Sequence, residues 1–538
     1  MKKIKRITSI LFAMIMSATM FVGCGDKADN NCKIFPVVYQ DINTVQDVEL
    51  YASQVDNMPV DNGVIISPYY TMKINGVDVP VYATRTANGV HSFAYVDVEV
   101  LNDQKDFKLN TEITVLTKSS VLKKSSPEVV VLPESHNIKA SIKGDKVKAT
   151  ISKTGNFSFA FNKSHIEPLT LLVAPKQDFK TPEGYEVVYI EPGEYTTQTN
   201  FKTSNTVYYF KSGRYKIDCI YLPADSVLYL ERGAYLEVMP NSFAVTRSLS
   251  ADRVKNVTVT GRGLFDYSAC TGSDMPGYSN NKSGLVFYQT DNILFEGVTI
   301  INSQTWTLCF YDCEEINVKN CMLFGYRTYS DGIMLSDCKN AIVEDCFVRT
   351  GDDAFETKST THTGYTDNVL FRNNAAWTDK AIAYGTIYES NQDTQNVKFQ
   401  NCSVGFSLGT WSSHLGTCVV QMGNRPGAKM YNIHFEDIEV YTTYNALLNV
   451  FIGGSGGQGA GYGTVENIYF KNITAKRNFS YVLHLRTYDN VNCFINDLYL
   501  DNIVSNGEAL TPDNCLTGNK IRIAADYDIS KLHINTRA

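Results

Sequence analysis

The sequence predicts an all-β protein in which a β-sandwich precedes a parallel β-helix, and three observations carry that prediction. Beyond Pro182, nine windows approximating N-[IV]-x-[FV]-x-[NGD]-[CVI] start at 256, 292, 315, 340, 368, 396, 432, 467 and 497, with spacings of 23 to 36 residues. Short β-branched strands recurring at that period, with Asn and Asp at the turns and no helical pattern, mark a solenoid of stacked parallel strands. Before Pro182 the pattern has period two instead. Val96, Val98 and Val100 share one face, as do Phe157, Phe159 and Phe161 after the turn at Lys153-Thr154-Gly155-Asn156. Finally, 36 Gly, 33 Tyr and 27 Phe supply turn formers and flat amphipathic rings, which suit β-structure with sugar-facing surfaces.

Taken in chain order, Lys2, Lys3, Lys5 and Arg6 precede an apolar run from Ile10 to Val22. The run is too short to span a bilayer comfortably and has the layout of a secretory signal, so residues 1–24 are expected to direct export. Phe21-Val22-Gly23-Cys24 resembles a bacterial lipobox with Phe21 where Leu is usual. Lipidation of Cys24 and anchorage at a bacterial cell surface are therefore expected. Residues 25–46 read as a polar tether, 47–182 as an accessory sandwich that packs or orients, and 183–538 as the β-helix catalytic domain.

Within each window, positions two and four point inward, and position seven does so again after a bend. Val298, Cys321, Cys346, Asn374, Cys402, Ile438 and Ile473 should then stack as a buried ladder at the interstrand spacing. The cysteines in that ladder serve as small hydrophobes, and no CxxC pair suggests zinc. The Asn at many window starts is a turn residue. With 49 basic against 56 acidic residues and a net charge of -7, a phosphate-driven nucleic-acid binder is excluded. With 43% hydrophobic and 20% charged residues, so is a multi-span membrane protein.

One stretch breaks the bland turn chemistry of the repeat. Ser330-Asp331-Gly332-Ile333 lies on one rung and Thr350-Gly351-Asp352-Asp353-Ala354-Phe355 on the next. Aligning DGIMLS with DAFETK sets Asp331 beneath Asp353, 22 residues apart, and a further 27 residues bring Lys380 into the column with Asp379 beside it. Carboxylates that close cannot all ionise, so at least one pKa should rise. A neutral carboxyl beside an ionised one is the pair needed to protonate a leaving oxygen and activate water. Turn capping and calcium binding remain the other readings of the same residues.

The order T-Y-S-D-G-I followed one rung later by T-G-D-D-A-F-E-T-K-S resembles the Asn-Thr-Asp and Gly-Asp-Asp-x-x-x-x-Lys motifs of glycoside hydrolase family 28, the polygalacturonases. It is also similar to family 49, the dextranases and isopullulanases, whose sandwich-then-helix layout is the closer one. The resemblance implies a right-handed β-helix and a polysaccharide hydrolase that inverts configuration in one displacement. Asp352 would be the general acid, and Asp331 and Asp353 would hold and deprotonate the water. Inversion comes from the resemblance alone, because one-rung stacking by itself suggests the shorter separation of retaining enzymes, about 5–5.5 Å.

The chain departs from family 28 at two places. The next rung carries Trp377-Thr378-Asp379-Lys380 instead of Gly-His-Gly, and the Arg-x-Lys pair expected after the site occurs only before it, at Arg214-Tyr215-Lys216 and Arg253-Val254-Lys255. A neutral glycan, with an α-glucan first, is therefore expected over galacturonan. Trp377 and Tyr384, flanking the column, are expected to stack on sugar rings, with Asp379 and Lys380 also binding substrate. The expected enzyme is a monomer that needs no cofactor or metal and whose partner is its polysaccharide. A polygalacturonase-type hydrolase, a non-catalytic glycan-binding β-helix and a calcium-dependent lyase using Lys380 as base stay open.

Overall fold

The computed structural model describes residues 32–40, 42, 63–100, 107–195, 201–240, 247–270, 283–360, 364–387, 392–409, 416–453, 462–487, 493–515, 521–523 and 528–535. Cys24 and the signal segment lie outside the described residues.

A seven-stranded sheet and a five-stranded sheet form the N-terminal sandwich. They close over Tyr70, Met72, Ile74, Phe157, Phe159, Phe161, Leu169, Leu171 and Val173, all buried. Val96 and Val98 point into this core, whereas Val100 is exposed at the strand end. The tether reading needs correction. Cys32–Pro36 is an edge strand, antiparallel to Val96–Val100, with Cys32 in the core. Its alternation is too brief to read, and its closing Pro is tolerated because an edge strand needs no second partner.

From Glu186 onward the chain winds as a right-handed parallel β-helix. A 23-stranded sheet folded around a bend supplies two faces and an 11-stranded sheet the third. One full turn runs through Lys339–Glu344, Phe347–Thr350 and Phe355–Lys358. The nine window starts are the corners of these turns. Asn256, Asn292, Glu315, Asn340, Asn368, Asn396, Asn432, Asn467 and Asp497 all have left-handed backbone, with φ between 51° and 57°. Asn and Asp tolerate that conformation best among residues bearing a Cβ, which explains their recurrence. Their amides also link rungs: Asn292 donates to Asn256 at 2.8 Å and Asn368 to Asn340 at 2.7 Å.

Inside, the ladder expected at position seven is present, with Val298, Cys321, Cys346, Asn374, Cys402, Ile438 and Ile473 all buried. At position four, Phe371, Phe399, Phe435 and Phe470 stack with centroids 4.7, 4.7 and 5.1 Å apart. The sandwich packs on the second face of the helix. Tyr82, Phe93, Tyr95 and Leu172 meet Phe324, Phe347, Trp377 and Phe406 in one apolar cluster. Buried ion pairs pin the junction. Asp97, fully buried, accepts from Arg262 Nε at 2.8 Å and Arg232 Nη2 at 2.6 Å. This seating places the sandwich beside the turns that carry the aspartates.

Candidate active site

Asp331 immediately precedes the strand Ile333–Ser336, and Asp352 and Asp353 precede Phe355–Lys358 on the next rung. The two strands pair in parallel with Ile333 opposite Phe355, so Asp331 stands directly against Asp353 as the sequence alignment expected. Gly332 N donates to Asp353 O at 2.7 Å, and Thr307 N to Asp331 O at 2.9 Å, which fixes the backbone under both acids. The flanking glycines are required by closeness. A Cβ on Gly332 would stand 2.3 Å from Ala354 O, and one on Gly351 would stand 2.2 Å from Arg327 O. Thr350 Oγ1 closes the second turn by donating to Asp352 O at 2.8 Å.

The side chains converge in a nearly dry place: Asp331, Asp352 and Asp353 are 2%, 5% and 6% exposed. Asp353 Oδ1 accepts from Ile382 N at 3.0 Å. Two further residues join them from the same strand, Glu356 and Lys358, both buried. One oxygen each from Asp331, Asp353 and Glu356 lies within 4.8 Å of the other two. Lys358 Nζ sits 3.5 Å from Asp331 Oδ2 and 3.3 Å from Glu356 Oε1. Burial, reinforced by Asp331 and Asp353, holds the Asp352 carboxyl well above the usual carboxylate range, against the weaker opposing pull of Lys358. Glu356 is likewise held well above its usual range by burial, which outweighs Lys358. The site can therefore keep a proton on Asp352. The three-carboxyl cluster is a hard donor set able to ligate a cation, and Lys358 already places one positive charge against it.

The residues expected to bind sugar fare differently. Trp377 is 2% exposed inside the apolar junction, with its ring against Phe406 and His91, so neither face is open to a sugar. Tyr384 is an inward residue, fully buried, stacked on Phe355 at 5.3 Å with its hydroxyl donating to Asn374 O and Ser403 O. Asp379 leaves the carboxylate column altogether. The register places Phe355 opposite Tyr384, which sets Asp353 against Ile382 and not Lys380. Asp379 instead grips Arg349 in the junction through two bonds, Nη2 to Oδ1 at 2.9 Å and Nε to Oδ2 at 3.3 Å. Lys380 donates to Thr328 Oγ1 at 3.2 Å. The half-buried Trp306 has its ring 5.6 Å from Lys358 Nζ.

Sequence reasoning passed over Glu356 and Arg349. In the strand Phe355–Lys358 the period of two puts Glu356 and Lys358 on the outward face of the acid rung, and that signal was readable. Arg349 carried no local signal, because its partners His91 and His165 belong to the sandwich. It donates to His91 Nδ1 at 3.2 Å and His165 O at 3.0 Å.

The comparisons follow the same outline. The family described as "Glycosyl hydrolases family 28" matches residues 236–509, just over half of the chain. An exopolygalacturonase (clone GBGE184) of Arabidopsis thaliana is 23% identical over 237 residues, 41% of this chain and 52% of that protein. Polygalacturonase QRT2 of the same plant is 24% identical over 213 residues, 37% of this chain and 45% of that protein. The chain thus spans about half the length of the curated relatives it matches. Among solved structures, Dex49A from Penicillium minioluteum superposes with a TM-score of 0.62 at 14% identity, covering 94% of this chain and 100% of that one, which is a likeness of fold. With the matched region containing every acid of the site, the chain belongs to glycosyl hydrolases family 28.

Proposed function

We propose that the protein hydrolyses a polysaccharide by a single displacement with inversion. The observation that carries this reading is the in-register pair Asp331 and Asp353, close enough to share one water, beside an Asp352 that keeps its proton. In the reaction Asp352 gives that proton to the glycosidic oxygen as the bond to the anomeric carbon breaks. Asp331 and Asp353 take a proton from the water that attacks the opposite face of the sugar. Proton NMR of the first product formed tests the geometry: inverted configuration is expected before mutarotation, and retention would mean that one carboxylate is a nucleophile.

For the substrate, a neutral glycan with an α-glucan first is the reading the groove favours. Two rungs past the acids, the outward positions of the strand Gly416–Met422 are Thr417, Val419 and Gln421, so this strand itself brings no cation to pair with a uronate. The names of the curated relatives favour polygalacturonate as the second reading. A panel of neutral and acidic polysaccharides with reducing-end detection separates the two, and faster cleavage of polygalacturonate than of any neutral glycan refutes the first. The protein works at the bacterial surface, held by a lipid on Cys24. The basic and apolar amino-terminal segments support this, and loss of radiolabelled fatty-acid incorporation in Cys24→Ala tests it.

A further inference from the structure

Glu356 stands where the repeat offers a hydrophobic residue. On the outward face of the third sheet, the column above it reads Val286, Cys309 and Met334, and the pairing sets Met334 directly against Glu356. Those three form a small buried apolar cluster of their own. Below, Glu356 faces Gly385, which brings no side chain. A carboxyl at the end of an apolar column and 0% exposed is costly unless another group holds it. The titratable groups that face it are Asp331, Asp352, Asp353 and Lys358, with Cys309 and Tyr311 on the strand Leu308–Tyr311. Four carboxyls buried together around Lys358 disfavour one another's ionised forms, so a proton held on one of them lowers the cost of the cluster.

We propose that Glu356 is a positioning residue whose carboxyl group donates a hydrogen bond to Asp331 and so fixes the carboxylate that, with Asp353, holds the attacking water. This rests on the reading of Asp331 and Asp353 as the water-binding pair. Geometry carries it: Glu356 approaches Asp331 from the next rung along the chain, Lys358 reaches both from the same strand, and full burial keeps Glu356 from touching substrate itself. The elevated pKa of Glu356, raised first by burial and then by Asp331 and Asp353 against Lys358, agrees with a carboxyl that retains its proton beside Asp331. A neutral donor at this place stabilises ionised Asp331 without adding charge to the cluster. Ionised Glu356 would do the reverse and repel it.

Three variants test this in the full chain, on whichever glycan the parent cleaves. Glu356→Gln keeps shape and a donor, Glu356→Met continues the apolar column above it, and Asp331→Asn serves as the control for the underlying reading. Glu356→Gln should retain kcat within a few-fold of the parent. Glu356→Met should lose about 10²-fold in kcat with little change in KM. The acid limb of its kcat/KM profile should move to higher pH, because Asp331 has lost the bond that favours its ionised form. A merely structural role would lower kcat without moving that limb. Equal loss in Glu356→Gln and Glu356→Met, or an acid limb that moves to lower pH in both, would show that the negative charge of Glu356 is what matters and overturn the proposal. If Asp331→Asn cleaves like the parent, the failure belongs to the reading of the water-binding pair instead.

Discussion

Two buried charge clusters lie on adjoining turns of the same β-helix, and they differ in balance. At the junction with the sandwich, Arg349 is fully buried but meets Asp379 with two bonds and spends another nitrogen on His91 and His165 O. Asp97 is matched in the same way by Arg232 and Arg262. On the acid rung and the one before it, four carboxyls crowd around Lys358. Burial is alike in both places, so desolvation alone does not set the difference. Where each charge has its complement, the cluster holds two layers together. Where carboxyls crowd together, burial and mutual repulsion hold Asp352 and Glu356 toward their protonated forms, and a retained proton is what an acid catalyst delivers.

The largest effect should follow from removing that proton. Asp352→Asn removes the proton donor and leaves shape unchanged, so turnover on the natural glycan should fall by about 10²–10⁴-fold with the circular dichroism spectrum intact. Cleavage at the parental rate would break the comparison at its functional end. Treatment of the parent with a chelator should leave activity unchanged. Loss restored by added calcium would assign the carboxyls at 331, 353 and 356 to a cation instead.

At the balanced cluster the reverse is expected. Arg349→Met leaves Asp379 buried without its partner, which should cost about 3–5 kcal/mol of stability. Chemical denaturation should show that loss, together with weaker docking of the sandwich on the helix. A second, independent contrast concerns the two indoles. Trp377→Ala should destabilise by about 3–5 kcal/mol because it opens a cavity in the junction. Trp306→Ala, at a half-buried ring packed on Val286, Cys309 and Met334 beside Lys358, should destabilise less, by about 1–2 kcal/mol.

The contrast also explains what the sequence could reveal. Everything with a local period was legible: the nine corners, because left-handed backbone selects Asn and Asp; the inward ladder from Val298 to Ile473; and the register of Asp331 with Asp353, because parallel pairing is set by the repeat itself. Residues whose role depends on the sandwich were misread. Trp377 and Asp379 flank the site in the chain, but their side chains leave the second face of the helix and meet His91 and Arg349, partners whose distance in sequence hides them. Tyr384 stands two residues from its expected register, a shift that keeps it on the inward face, so its misreading lay in giving an inward ring stacked on Phe355 a sugar-binding role. Cys32–Pro36 failed for another reason, since its partner strand lies some sixty residues away and it has only five residues in which to show a pattern.

The smallest effect is the most direct measure of the imbalance, because it reads stability and not chemistry. The native-state pKa of Asp352 lies above its unfolded value, raised first by burial and then by Asp331 and Asp353. Over the interval between the two values the native protein binds the extra proton, so stability contributed at this position falls as pH rises and is fully present only below the unfolded pKa, about 4. Asparagine has no proton to lose. Asp352→Asn should therefore match the parent in Tm near pH 4, exceed it by a few degrees near pH 8, and show the gap widening steadily between. Lys476→Met, whose parent side chain makes an exposed pair with Glu134, should shift Tm far less and equally at both pH values. A parent that is more stable than Asp352→Asn at pH 8 would mean that ionised Asp352 is well paired, and the acid rung would then be balanced like the junction beside it.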